Sequence, residues 1–160
     1  MKKHIFTVGM ALMTFALAAG AAETEYSGTF CSRSRQVEVL QSGPELTASI
    51  TESWGIQTAD STFEPLKNAT VRCIGYAQVR SGKRTSKSTC QWTDAQGDTF
   101  TGEAEQVPGK PGAWTFLSGT GKWNGVQGAG TFKVLGVGKR FADGSVALCL
   151  THSGKYTLPQ

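Results

Sequence analysis

The feature that most constrains the fold of this chain is a glycine-rich segment between two runs of aromatic strand sequence. Residues 118–132 read Ser-Gly-Thr-Gly-Lys-Trp-Asn-Gly-Val-Gln-Gly-Ala-Gly-Thr-Phe and hold five glycines between Gly119 and Gly130. Glycine has no Cβ, so it permits positive φ angles and the close approach of two backbones. Such a cluster is typical of a sharply bent hairpin in a curled β-sheet, and it identifies a fold better than a reaction.

The remainder of the chain also predicts short β-strands. No long segment repeats apolar residues at helical spacing, and alternating runs are broken by Gly, Pro, Asn and Asp. Eight or nine antiparallel strands with short turns predict an all-β, up-and-down barrel, because closure removes exposed sheet edges. The predicted strands lie near residues 26–31, 36–41, 45–57, 70–80, 84–93, 98–106, 112–119, 129–137 and 145–157, with an irregular connection at 58–69.

Residues 1–22 predict a secretory signal peptide rather than part of the fold. Lys2 and Lys3 form a basic start, an apolar run follows, and small residues up to Ala22 complete the pattern. The alternative is a membrane anchor, but the apolar run is short for a stable span, so we expect none after cleavage. Residues 23–160 then form a single domain. The short leader is typical of bacterial export, so we expect a periplasmic or extracellular protein.

The charge balance gives little support to a nucleic-acid partner. The chain has 16 basic and 12 acidic side chains, and cleavage removes Lys2 and Lys3, which leaves 14 against 12. Such a small excess does not suggest a phosphate-binding surface. One local concentration stands out at a predicted hairpin tip. It is either a solvated loop or a surface that attracts anions such as membrane headgroups, and it comprises Arg80, Lys83, Arg84 and Lys87.

Four cysteines remain after cleavage, and an even number in an exported chain predicts two disulfides with three conceivable pairings. Cys31 and Cys149 each lie on the more polar face of a terminal strand, and the first and last strands of a closed sheet are neighbours. Cys73 and Cys90 flank a hairpin centred on Gly82. We therefore predict the pairs Cys31–Cys149 and Cys73–Cys90. A zinc site is disfavoured because there is no Cys-x-x-Cys and the mature chain has a single histidine.

Two parts of the glycine-rich segment resemble the signature of a known group of barrels. Residues 119–123, Gly-Thr-Gly-Lys-Trp, and residues 128–132, Gly-Ala-Gly-Thr-Phe, resemble the pattern of the allene oxide cyclase barrel-like group, which belongs to the calycin-type barrels and includes the plant dirigent proteins. Cys90 and the Asp-Ala-Gln-Gly-Asp sequence at residues 94–98 are similar to a hairpin of small exported bacterial barrels. The chain departs from the pattern at Ser118, where a further glycine is usual, and at Trp123, where Phe or Tyr is commoner.

This resemblance covers about a third of the mature chain. It implies a calycin-like barrel in which the glycine motif forms a corner. It also implies chemistry on a reactive apolar substrate, steered mostly by the shape of the cavity. Catalytic residues are not carried over, because only the glycine motif matches. The residues of the motif are Gly119, Gly121, Lys122, Trp123, Gly128 and Gly130.

The same Asp-rich hairpin places oxygen-bearing side chains at calcium-loop spacing, from Asp94 to Glu105. Thr99 stands where such a loop needs glycine, so a turn in which the Asp side chains bind the local backbone is the favoured interpretation. We therefore predict neither a metal nor an organic cofactor.

One carboxylate, Glu52, is a candidate polar group inside the barrel. It falls in phase with Ile50, Trp54 and Ile56 on its predicted strand. If this face points inward, burial raises the pKa of Glu52 and suits it to proton transfer or to binding a polar group. The alternative is a bulge that shifts the phase, or a position in water at the barrel mouth. His152 could accompany Glu52, or could be a packed strand residue.

We predict that the protein binds a small, largely apolar molecule inside the barrel or at its mouth, without catalysis. Trp54, Trp92 and Trp114 are expected to line the site, with Glu52 and His152 as polar groups, although all could equally be core residues. No catalytic residue is assigned, since no nucleophile motif such as Gly-x-Ser-x-Gly occurs. The alternatives are a cyclase or stereo-directing enzyme acting on an apolar substrate, and an envelope interaction or inhibitor module. The sequence does not predict the oligomeric state.

Overall fold

The computed structural model describes residues 22–58, 62 and 67–159, which form a closed antiparallel barrel. Its eight strands are β1 (Thr24–Ser42), β2 (Leu46–Gln57), β3 (Thr70–Arg80), β4 (Lys83–Thr93), β5 (Thr99–Gln106), β6 (Gly112–Gly119), β7 (Gln127–Arg140) and β8 (Val146–Thr157). Residues 1–21 of the predicted signal peptide and most of the connection at 58–69 lie outside the described residues. None of the helices in the described part of the chain is long and apolar enough to cross a membrane.

Pairing of the first strand with the last closes the barrel. β1 pairs with β8 along residues 24–34 and with β2 along residues 30–42. Every strand therefore has two neighbours, and the predicted all-β barrel is confirmed. The nine predicted segments form eight strands, because residues 26–31 and 36–41 belong to one continuous strand. Residues 32–34 between them pair with both β2 and β8, Arg35 pairs with β2, and a bulge lies between Gln36 and Glu38.

Both predicted disulfides are present, and each joins residues that face each other across neighbouring strands. Cys31 pairs with Cys149 across β1 and β8, and Cys73 pairs with Cys90 across β3 and β4. Cys73 and Cys90 are buried and line the barrel interior. Cys31 follows the buried Phe30, so strand alternation places the Cys31–Cys149 bridge on the outer surface.

The hydrophobic core fills one end of the barrel, which we call the closed end. The start of β1, the end of β8 and the strand ends that join β2 to β3, β4 to β5 and β6 to β7 lie at this end, whereas the other four turns lie at the opposite, open end. Aromatic rings pack against one another here, and Trp92 stacks on Phe100 with 5.0 Å between ring centroids. Burial of such rings contributes most to core energetics. The main aromatic members are Tyr26, Phe30, Trp92, Phe100, Trp114, Phe116 and Trp123.

The two sequence motifs meet in a single corner of the closed end. Trp123 is 1% exposed, and its Nε1 donates to Oδ2 of Asp94 at 3.2 Å. The ammonium of Lys122 lies 2.7 Å from the same oxygen. Gly121 has a φ of +52°, and a Cβ there would lie 1.9 Å from a carboxylate oxygen of Asp98. Residue 121 must therefore be glycine, both for its positive φ and because a side chain would collide with Asp98. Through these contacts the Asp-rich hairpin anchors the glycine-rich segment.

Asp94 is ionised within this corner although its carboxylate is buried. Burial raises the pKa of this carboxyl group, but hydrogen bonds from Lys122, Trp123 and the backbone of Gln96, together with the charge of Lys122, outweigh that effect and hold the pKa of Asp94 below its ordinary value. Its other oxygen, Oδ1, accepts hydrogen bonds from the backbone N–H groups of Gln96 and Asp98, at 2.9 and 3.0 Å. The carboxylate is thus satisfied by side chains and backbone of the corner itself.

Candidate ligand-binding cavity

The barrel encloses a cavity of about 570 Å³ that extends from the aromatic core towards the open end. Small-molecule sites in proteins commonly have volumes of about 300–1,000 Å³. The cavity is far larger than the space that one or two water molecules need. Its size alone therefore distinguishes this barrel from one whose interior is filled by side chains.

Aromatic side chains form the floor of the cavity. Trp92 and Trp114 lie with their ring centroids 4.7 Å apart, and both line the cavity with Phe100 and Phe116. The indole Nε1 of Trp114 donates to the hydroxyl of Tyr26 at 2.6 Å. The indole Nε1 of Trp92 is buried and has no hydrogen-bond partner among the described residues. The floor is therefore largely apolar.

Tyr26 is a neutral phenol in this environment. Burial raises its pKa to about 12, and the hydrogen bond from Trp114 opposes that rise only in part. The hydroxyl also limits what its neighbours can be, because a Cβ at Gly130 or Gly154 would lie 2.8 Å from it. Glycine at these positions lets β7 and β8 pass close to the phenol. Tyr26 therefore contributes a neutral hydroxyl group to the cavity lining and is not ionised near neutral pH.

His152 is fixed at the side of the cavity by a glutamine. Gln57 is fully buried, and its amide Nε2 donates to the carbonyl of Thr29 at 3.0 Å. Its Oε1 therefore points towards His152 and lies 2.8 Å from the ring Nε2. Since an amide oxygen only accepts, Nε2 of His152 carries the proton and donates it to Gln57. This arrangement fixes both the ring orientation and the tautomer.

The walls of the cavity differ in chemistry. One wall, which we call the hydroxyl wall, comes from β1, β2 and β4, and the opposite aliphatic wall comes from β7 and β8. The hydroxyl wall consists of Ser32, Ser34, Thr51, Ser53, Ser86 and Ser88. The aliphatic wall consists of Val134, Val137, Val146, Leu148 and Leu150. The cavity is therefore polar on one side and apolar on the other.

Three of the predicted site residues line the cavity, and two do not. Trp92, Trp114 and His152 lie in its lining as expected. Glu52 and Trp54 lie instead on the outer face of β2, so the expected inward orientation of this face is corrected.

On the outer surface, Glu52 is part of an ion-pair network. Its carboxylate lies 2.9 Å from Arg72 and 3.2 Å from Arg35. The hydrogen bond from Arg72, followed by the contact with Arg35, holds the pKa of Glu52 below its ordinary value, opposite to the shift expected for a buried carboxyl. The guanidinium of Arg35 also lies 5.1 Å from the centroid of Trp54. These residues stabilise the exterior and leave the cavity without this carboxylate.

The face of β2 opposite Glu52 and Trp54 points into the barrel. Gly55 packs against β1 so closely that a Cβ there would lie 2.1 Å from the carbonyl oxygen of Cys31. The inward positions of β2 are Ser49, Thr51, Ser53, Gly55 and Gln57, so the polar face lines the interior while the apolar face is exposed. Sequence reasoning missed Gln57 and the hydroxyl wall for this reason. The signal that could have found them is the regular Ser/Thr alternation on this strand.

Comparison with known proteins supports the fold assignment. No protein-family model matches this chain, and no curated protein matches it by sequence. Among solved structures, the pterocarpan synthase dirigent protein GePTS1 is 13% identical with a TM-score of 0.52, over 94% of this chain and 100% of that one. The pterocarpan synthase dirigent protein PsPTS1 is 10% identical with a TM-score of 0.55, over 87% of this chain and 97% of that one. The chain therefore has a dirigent-like barrel fold.

Proposed function

We propose that this protein binds a small, largely apolar molecule inside its barrel without transforming it. The observation that carries the proposal is the cavity of about 570 Å³ with its aromatic floor and aliphatic wall. An apolar molecule transferred from water into such a site gains about 25 cal/mol for each Å² of surface that it buries. The hydroxyl wall supplies the few polar contacts that orient a ligand.

The chemistry of the lining favours binding over proton-transfer catalysis. Among the described residues that line the cavity, the charged side chains are all basic and none is a carboxylate. Tyr26 is protonated near neutral pH, because burial raises its pKa to about 12. His152 donates from Nε2 to the neutral amide oxygen of Gln57.

We also propose that the protein is exported. Its two disulfides fit an oxidising compartment, since cytosolic proteins rarely keep such bonds. The predicted signal peptide at residues 1–22 agrees with this location and remains a prediction.

Filling the cavity is expected to abolish ligand binding. Ala104 lines the cavity midway along β5, and Ala104→Phe would place a ring in the space that a ligand needs. We expect the affinity for the apolar fluorescent probe N-phenyl-1-naphthylamine to fall at least tenfold. The matched control is Ala113→Phe, because Ala113 is exposed and does not line the cavity. A fluorescence titration of the wild type and both variants measures the effect.

Two results would count against the proposal. One is a wild-type protein that does not bind the probe. The other is equal binding by the Ala104→Phe and wild-type proteins, which would place the probe outside the barrel. Thermal unfolding of each variant verifies that a loss of binding does not reflect a loss of fold.

A second candidate is a barrel that holds a reactive apolar substrate in one orientation, as a cyclase or stereo-directing protein would. The hydrogen bonds that fix Tyr26 to Trp114 and His152 to Gln57 favour it, because they present polar groups in a set geometry. The structural neighbours GePTS1 and PsPTS1 are each described as a pterocarpan synthase dirigent protein. Chiral chromatography of a ring-closure reaction with and without the protein tests it. An enantiomeric excess only in its presence would favour this candidate over simple binding.

A further inference from the structure

Four lysine and arginine residues border the cavity, but their side chains do not all point into it. Arg35 and Lys87 lie in the outward phase of their strands, where Arg35 lies 3.2 Å from Glu52 and Lys87 lies 2.9 Å from Glu103. The other two are Arg84 and Arg140. Neither of these forms an ion pair with a carboxylate in the part of the chain that the structure describes.

Arg84 lies on the inner face of β4, next to the open end. The inward residues of this strand are Arg84, Ser86, Ser88, Cys90 and Trp92, and each lines the cavity. The basic hairpin tip singled out in the sequence is therefore divided by strand alternation. Both Lys83 and Arg84 are exposed at the open end, but Lys83 does not line the cavity, whereas Arg84 does.

Arg140 ends β7 and lies at the same end of the barrel. It faces Val146 at the start of β8, and its guanidinium donates to the carbonyl of Gly144. Val146 and Gly144 also line the cavity. This hydrogen bond holds the Arg140 side chain at the mouth and leaves other N–H donors of the fork for a ligand.

The cavity therefore changes in character along its length. Its floor is aromatic, its middle has a hydroxyl wall opposite an aliphatic wall, and its mouth carries two guanidinium groups without carboxylate partners among the described residues. Guanidinium groups bind carboxylate, sulfonate and phosphate oxygens through charge-assisted, often bidentate, hydrogen bonds. This gradient matches a molecule with an apolar body and an anionic end.

We infer that the ligand is an anionic amphiphile that enters apolar end first, and that Arg84 and Arg140 hold its anionic group at the open end. The inference rests on the proposed function, since it specifies the ligand of the same cavity. Arg84 is the principal anion contact, because Arg140 is already engaged with Gly144.

Two fluorescent probes that differ by one charged group test this inference. 8-Anilinonaphthalene-1-sulfonate and N-phenyl-1-naphthylamine share the arylaminonaphthalene body, and only the first carries a sulfonate. We expect Arg84→Gln to weaken binding of the sulfonate probe at least tenfold and to change binding of the neutral probe less than twofold. Arg84→Lys keeps the charge but loses the bidentate fork, so we expect it to recover part of the affinity.

Lys83→Gln is the matched control. It removes the same charge from the adjacent position, but on a residue outside the cavity lining, so neither probe should change its affinity more than twofold. If the basic hairpin tip instead attracted anions through its overall surface charge, Lys83→Gln and Arg84→Gln would lower the affinity for the sulfonate probe equally. That result would overturn the inference.

The remaining outcomes separate this inference from the proposed function. If the wild type binds the neutral probe but Arg84→Gln leaves sulfonate binding unchanged, the anionic amphiphile is overturned and the apolar site stands. If Arg84→Gln weakens both probes equally, the arginine acts through the shape of the mouth and the inference also fails. If the wild type binds neither probe, the proposed function itself is overturned.

Discussion

Replacing Cys31 and Cys149 by alanine is expected to lower the free energy of unfolding by about 4–5 kcal/mol. The disulfide joins β1 to β8 across a sequence separation of 118 residues, so it removes the entropy of a long loop from the unfolded chain. Both residues lie on the outer face, so the double substitution leaves the packing of the interior intact. Urea unfolding of the wild type and the double variant, without reductant, measures the difference.

The second disulfide provides the comparison. Cys73 and Cys90 are only 17 residues apart, so loop closure predicts a loss of about 3 kcal/mol for the corresponding double alanine variant. A smaller loss for the Cys31–Cys149 variant than for this one would contradict the view that the first-to-last bridge is the main covalent restraint on the barrel.

Asp94→Ala is expected to destabilise the closed end by about 3 kcal/mol. The carboxylate side chain is fully buried and accepts hydrogen bonds from the Trp123 indole and two backbone N–H groups, beside the Lys122 ammonium at 2.7 Å. Removing it leaves the buried Trp123 donor without its partner and the lysine without its counter-charge. The loss would appear as a lower urea midpoint, and near-ultraviolet circular dichroism would report the changed environment of Trp123.

Glu23→Ala is the control for this substitution. Glu23 forms an ion pair with Lys155 at 2.8 Å, almost the same distance as in the Asp94–Lys122 pair. Both side chains of the Glu23–Lys155 pair, however, are more than half exposed. Exposed pairs contribute little, because water and salt screen them. An Asp94→Ala variant as stable as Glu23→Ala would show that the corner does not anchor the glycine-rich segment.

The lowered pKa of Asp94 also predicts that the free energy of unfolding decreases at acidic pH. The pKa of Asp94 is lowered by folding, so its contribution is fully present above the ordinary value of 3.8 and is lost as the pH falls below it. We expect the wild type to lose stability more steeply than Asp94→Ala as the pH is lowered from about 4. Parallel profiles for the two proteins would contradict the assigned role of the carboxylate.

The sequence contained most of the information about the fold. Turn residues and alternating strands predict the barrel, and the polarity of the faces around Cys31 and Cys149 predicts which cysteines meet. The sequence left the number of strands at eight or nine, because residues 32–35 separate two of the predicted segments. In the structure residues 32–34 pair with both β2 and β8 and Arg35 pairs with β2, so the two segments form one long strand.

The site was harder to predict because a hollow barrel breaks the rule that apolar faces point inward. Trp92 and Trp114 follow the rule, since they lie in the filled closed end. On β2 the interior is a cavity, so hydroxyl groups face it and Ile50, Trp54 and Ile56 are exposed. Whether a strand borders packed side chains or open space depends on all eight strands together, and no single segment encodes it.

The placement of Arg84 illustrates the same limit. Four basic residues near one hairpin tip look alike in sequence, and only the register of β4 with β3 determines which side chain faces the cavity. The division of the barrel into an anchored closed end and a basic open end gives a physical basis for one-directional entry of a ligand. The closed end supplies rigidity, and the open end supplies access and charge.

Native mass spectrometry of the protein purified from its own host tests most directly whether the barrel holds a ligand. We expect the wild type to carry a small-molecule adduct that is released on unfolding, and Ala104→Phe to have the mass of the bare polypeptide. A wild type with the bare mass, or the same adduct on both proteins, would contradict ligand binding inside the barrel.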